Sequence, residues 1–169
     1  MPSIPPTIIT TSTSSPGDFD SSILLYKIVS IIFDFVLAIS TAMLVYSFAN
    51  NNRRLKAILT YSAVLLSATV IFNSSFWAQC DSIYTSFIIL AILFLHKDKP
   101  IASFVFIGIA FAFKLQTVFI IPVLLYYWIS TKKISILHFF IIPALDVIMC
   151  LPAIIMGRPF IDIITIYAE

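Results

Sequence analysis

The chain has 169 residues, 60% hydrophobic and 11% charged, with a formal net charge of +2 and a mean hydropathy of +1.06. Soluble domains are about 45–50% apolar and roughly 25% charged, so the charges here are too few to coat a water-soluble globule, and lipid is the expected solvent for much of the surface. Three glycines and long unbroken apolar runs argue against a membrane β-barrel, whose strands alternate apolar and polar residues. The expected fold class is all-α, a polytopic transmembrane helical bundle.

In chain order, residues 1–20 are rich in Pro, Ser and Thr and carry neither Lys nor Arg nor an apolar core. They lack the features of a signal peptide and are expected as a disordered polar tail preceding a transmembrane domain, itself partial, over residues 21–169. Six membrane segments are expected: Ile23–Phe48, Leu55–Phe72, Ser82–Leu95, Ile101–Phe113, Thr117–Ile129 and Ile134–Ile155. Pro122, Pro143 and Pro152 are expected to kink their helices.

Residues 101–129 are apolar except for Lys114 and Gln116. As one helix they would rise over about 40 Å, against a hydrocarbon core of about 30 Å. A single crossing would also set the basic loop at Lys97 and Lys99 opposite that at Lys132 and Lys133. Two crossings join the loops on one side, as the positive-inside rule prefers, so Lys114–Gln116 is expected as a hairpin tip. Arg53, Arg54, Lys56, Lys97, Lys99, Lys132 and Lys133 then face the cytoplasm. The N-terminal tail, Asn73–Asp81, the Lys114 tip and Gly157–Pro159 lie on the far side. The third, fourth and fifth segments fall short of the ~20 residues of a full crossing. With their inner ends pinned by basic residues, the shortfall predicts a recess at the outer face, with Asp81 and Lys114 sharing it.

In the connection Asn73-Ser-Ser-Phe-Trp-Ala-Gln-Cys-Asp81, Trp77, Gln79 and Asp81 occupy alternate positions. In an extended loop these would point to one side, an aromatic plate, an amide and a carboxylate suited to a sugar or polar headgroup. An interfacial Trp77 and an Asp81 capping the next helix account for the same residues. Lys114 in a recessed tip calls for a partner, either Asp81 or an anionic group such as a lipid phosphate; a lysine snorkelling to headgroups is the plainer reading. Lys27 and Asp34, two turns apart on one helix face, and Asp146 in the last segment are expected as structural intramembrane polar groups. Cys80 and Cys150, and His96 and His138, show no metal-ligand spacing. No metal, cofactor or nucleic-acid site is expected.

The run from Asn73 to Ile129 resembles the middle of integral-membrane mannosyltransferases related to the enzyme that adds the second mannose to GPI-anchor precursors. These belong to the C-type glycosyltransferases, which use polyprenyl-phosphate sugars. The pattern Asn-Ser-x-x-Trp-Gly-Gln-x-Asp-Ser-Ile-Tyr, followed by Lys-x-Gln and a nearby Pro, is met by Asn73, Ser74, Trp77, Gln79, Asp81, Ser82, Ile83, Tyr84, Lys114, Gln116 and Pro122, with Ala78 in place of a glycine. Lys27 and Asp34 resemble the family's Lys and Asp in the preceding helix. The resemblance covers roughly Leu24 to the C-terminus. It implies hexose transfer from a polyprenyl-phosphate donor to a glycan or lipid-linked acceptor on the extracytoplasmic face, with Trp77, Gln79, Asp81, Lys114 and Gln116 around the donor. The membrane would be the bacterial plasma membrane or the eukaryotic endoplasmic reticulum.

Family members are longer and carry their catalytic base in a first outer loop, which Asp18 and Asp20 do not match. The simplest expectation is a fragment or truncated member, with no catalytic residue identified. The alternative function is a non-enzymatic multi-pass membrane protein, transporter-like or binding a lipid carrier. A transporter needs polar groups near the midplane, whereas here they cluster toward one face.

Overall fold

The described residues contain seven α-helices and two 3-10 segments, and no strand occurs among them. The structure, a computed structural model, describes residues 16–73 and 81–157, with side chains from 24 onward. Helix α1 (Pro16–Phe48) has 33 residues and takes in the end of the stretch expected as tail. Of the described helical stretches, Leu24–Phe48 and Ile136–Ile155 are long and apolar enough to cross a membrane; Asp81–His96, Pro100–Phe113 and Leu115–Thr131 are shorter apolar stretches.

The second expected segment is not one helix. It divides into α2 (Arg53–Leu65) and α3 (Ala68–Ile71), with Ser67 extended between them. Neither piece has a buried residue, although α2 lies against α1, and the break falls at Ser67, a residue of weak helix preference. The third and fourth segments form α4 (Asp81–His96) and α5 (Pro100–Phe113).

Two prolines start helices instead of kinking them. Leu115–Ile120 is 3-10, and α6 (Ile121–Thr131) follows with Pro122 in its first turn. Lacking an N–H, Pro122 cannot bond the Val118 carbonyl, which accepts from the Ile121 amide instead. The same arrangement recurs where 3-10 Ile136–Phe140 passes into α7 (Ile141–Ile155) just before Pro143. Only Pro152 lies inside its helix.

The helices pack in the order α2, α1, α4, α5, α7, each on the next. Phe104, Ile107, Ala91, Leu95, Leu124, Ile134 and Ile142 form the apolar core, where Phe104 meets Phe139 edge-on at 5.0 Å between centroids. A row of rings, Phe33, Phe87 and Phe106, runs from α1 across α4 to α5. At Gly108 the α5 and α7 backbones come close: a Cβ there would lie 2.8 Å from Leu145 Cδ1 and 3.0 Å from Leu145 Cβ. Small polar residues are buried between the helices as well. Ser30, Ser40, Ser82, Ser86, Ser103 and Thr117 are buried, whereas Leu25, Tyr26, Ile58, Phe119 and Ile155 are exposed. Small residues between helices with bulky apolar ones outside are the pattern lipid selects.

The chain reverses at Lys114. Lys133 on the far side of α6 bonds Asp98, just before α5, at 2.8 Å, so α5 and α6 are antiparallel. Phe48 stacks on His96 at 4.0 Å, and Arg53 and Lys97 border one cavity. The three basic connections therefore gather at one end of the bundle.

Candidate functional site at the opposite end

Two connections distant in sequence meet at the other end. Helix α5 stops at Lys114, whose backbone is extended (φ −155°, ψ 124°). The turn is held by local bonds: Thr117 donates its hydroxyl to the Ala110 carbonyl at 3.0 Å, and its amide to the Lys114 carbonyl at 3.0 Å. Thr117 is buried, so this tip is packed backbone that aims the Lys114 side chain back at α4.

There the Lys114 ammonium pairs with Asp81 Oδ1. The other oxygen of Asp81, Oδ2, accepts from the Asn73 side-chain amide at 3.0 Å, tying in the chain that leaves α3. Asp81 is the first residue of α4, where a carboxylate meets the positive end of the helix. One turn on, the Tyr84 ring lies 5.3 Å from Lys114 Nζ, a cation–π contact. The Lys114 and Asp81 side chains are 35% and 26% exposed, so the pair is only partly buried.

Directly behind it, Ser82 donates its hydroxyl to Asp34 Oδ1. Asp34 is only 7% exposed, and Ser82 is its partner across the α1–α4 contact. Ser86, one turn further, donates to the Phe33 carbonyl at 3.3 Å. The first turn of α4 thus binds the outer cluster through Asp81 and the interior of α1 through Ser82.

The sequence-predicted residues divide accordingly. Asp81 and Lys114 are brought into contact, with Asn73 and Tyr84 beside them. Gln116 is exposed, and its side chain makes no hydrogen bond among the described residues. Trp77, Gln79 and the rest of the recess expected around them lie outside the described residues. Lys27 is half-buried on α1 and Asp146 half-buried on α7, neither with a polar partner among the described residues. The Asp34–Ser82 bond went unforeseen, since nothing in the spacing links positions 48 apart; a buried aspartate and a serine in a helix's first turn were the available signals. Among the described residues no group of His, Cys, Asp or Glu has the geometry of a metal site. No known protein family, curated protein or solved structure matches the chain.

Proposed function

We propose that the chain is a six-pass membrane protein with its basic loops cytoplasmic and the Asn73–Asp81–Lys114 cluster extracytoplasmic, and that this cluster receives the phosphate end of a polyprenyl-phosphate hexose. The observation that carries this reading is the Lys114–Asp81 ion pair, built at the end opposite the basic connections. A cation at such a place, backed by apolar helices, is suited to hold a lipid-borne phosphate. In the glycosyltransferase reading suggested by the resemblance, an acceptor hydroxyl attacks the anomeric carbon. The bond from that carbon to the phosphate oxygen breaks, and the electron pair leaves with the polyprenyl phosphate. Lys114 stabilises the departing charge, and the hydroxyl proton goes to a base. Asp81 is poorly suited to be that base, because both its oxygens are engaged, by Lys114 and by Asn73. This favours a second reading, donor binding without transfer by a lipid-carrier-binding protein.

One experiment separates them. Purified protein in lipid nanodiscs is tested for retention of a labelled polyprenyl-phosphate hexose, with transfer to simple mannoside acceptors followed in parallel. Lys114→Ala is expected to reduce retention more than Lys132→Ala, and turnover by this chain alone is expected to be negligible. Robust transfer would establish the enzyme, with Asp18 and Asp20 the first residues to mutate in search of the base. Equal loss in both lysine variants, or no retention by well-folded protein, would remove the donor site.

A further inference from the structure

At the basic end, α1 and α2 part to leave a groove of about 650 Å³, within the range of ligand pockets. Its walls are Ile39 and Met43 on α1 and Ile58 on α2; Ala42 and Ala57 keep it open, and Tyr46 and Tyr61 line it. Arg53 and Lys97 stand at its border, from two connections far apart in sequence. Arg53 opens α2, whose first turn holds no acidic residue and whose N-cap, Asn52, makes no side-chain cap bond. The amides of that turn are therefore without a capping side chain and add to the positive field. Asp98, next to Lys97 in sequence, is already paired with Lys133. Arg53 has no ion-pair partner among the described residues, and Lys97 has only the Phe94 ring at 6.0 Å.

We propose that this groove binds one anionic phospholipid, its phosphate held between Arg53 and Lys97 and an acyl chain laid between α1 and α2. Charge complementarity selects the occupant: an apolar trough ending in two unpaired cations and uncapped amides matches an amphiphile with an anionic head. A zwitterionic headgroup brings its own cation against Arg53, and a free phosphate leaves the trough unfilled. From Arg53 to Tyr61 the trough follows about two turns of α2, roughly 12 Å, long enough to take the upper part of an acyl chain. Basic pockets between membrane helices on the cytoplasmic side recognise anionic headgroups in this way. The site rests on the membrane reading but is independent of the donor site, which lies at the other end of the bundle.

The test uses full-length protein extracted from alkali-washed membranes, so that membrane insertion is established before lipid is added. Native mass spectrometry in a neutral detergent then measures retention of phosphatidylglycerol, of phosphatidylcholine with the same chains, and of glycerol phosphate. The phosphatidylglycerol adduct is expected to dominate by at least about tenfold. Arg53→Gln with Lys97→Gln is expected to lower it by about fivefold per charge, while the matched control, Lys99→Gln with Lys132→Gln, changes it less than about twofold. Ala57→Phe, which fills the trough and leaves the cations intact, is expected to lower it as well. Equal retention of the two lipids, equal loss in the control pair, retention of glycerol phosphate as strong as that of lipid, or no effect of Ala57→Phe would each overturn the proposal.

Discussion

Asp34 and Ser82 show what a single buried polar contact does in this chain. A carboxyl group inside apolar surroundings depends on its hydrogen bonds, and removing one partner costs more than the bond contributes. Ser82→Ala is therefore expected to destabilise the protein by about 1–3 kcal/mol. Replacing both partners (Asp34→Leu with Ser82→Ala) should recover part of that loss, as read by unfolding in detergent. Equal or additive losses would mean the two side chains do not depend on each other. Lys133 is the opposite case. It lies at the surface, and its pKa is raised above the usual 10.5, first by the hydrogen bond to Asp98 and then by that carboxylate's charge. A raised lysine pKa stabilises the folded chain fully below pH 10.5, and the contribution is lost as pH rises through the folded value. The stability effect is small, since the two side chains are 58% and 62% exposed. The titration is the sharper readout: in Asp98→Asn the Lys133 value, followed by NMR of the methylated amine, should fall back toward the usual one. An unchanged titration would show that the pair does not hold in solution.

At the scale of elements, the helix breaks follow from missing donors and weak local helix preference. Pro122 and Pro143 each end a 3-10 segment because they have no amide to give the preceding carbonyls. The second segment divides at Ser67, a weak helix former in a stretch with no buried residue on either side. Where helices do pack, α5 and α7 approach so closely at Gly108 that even a methyl group crowds Leu145. Gly108→Val is expected to cost about 1–3 kcal/mol by overpacking, with partial recovery on adding Leu145→Ala, measured by thermal unfolding in detergent. A neutral Gly108→Val would show that the α5–α7 contact is loose.

Across the whole molecule, polar chemistry separates into two ends. Arg53, Lys97 and Lys133 gather at one, and Asn73, Asp81 and Lys114 at the other. In the orientation proposed above, which follows the positive-inside rule, the basic end lies in the cytoplasm. Cysteines introduced at Asn51 and Lys132 are then expected to resist an impermeant thiol reagent in intact cells, while one at Gly157 labels. Labelling at Lys132 with none at Gly157 would invert the orientation, and would move the proposed phospholipid groove to the outer leaflet with it.

The all-helical class and most helix limits were legible in the residues, because long apolar runs and basic punctuation leave the backbone few alternatives. So was the reversal at Lys114, from an argument about length and loop charge that the Lys133–Asp98 bond bears out. Hydropathy is blind to rotation about a helix axis and to donor supply along it. Tertiary structure alone therefore decided that Asp34 turns toward Ser82, that Asn73 and Tyr84 join the Lys114–Asp81 pair, and that Arg53 and Lys97 border one groove. It likewise decided that Pro122 starts a helix rather than bending one, since a proline's effect depends on whether its carbonyl partner already has another donor. Composition sets which solvent a helix meets; which side chains meet one another is fixed by packing between segments that the chain order keeps apart.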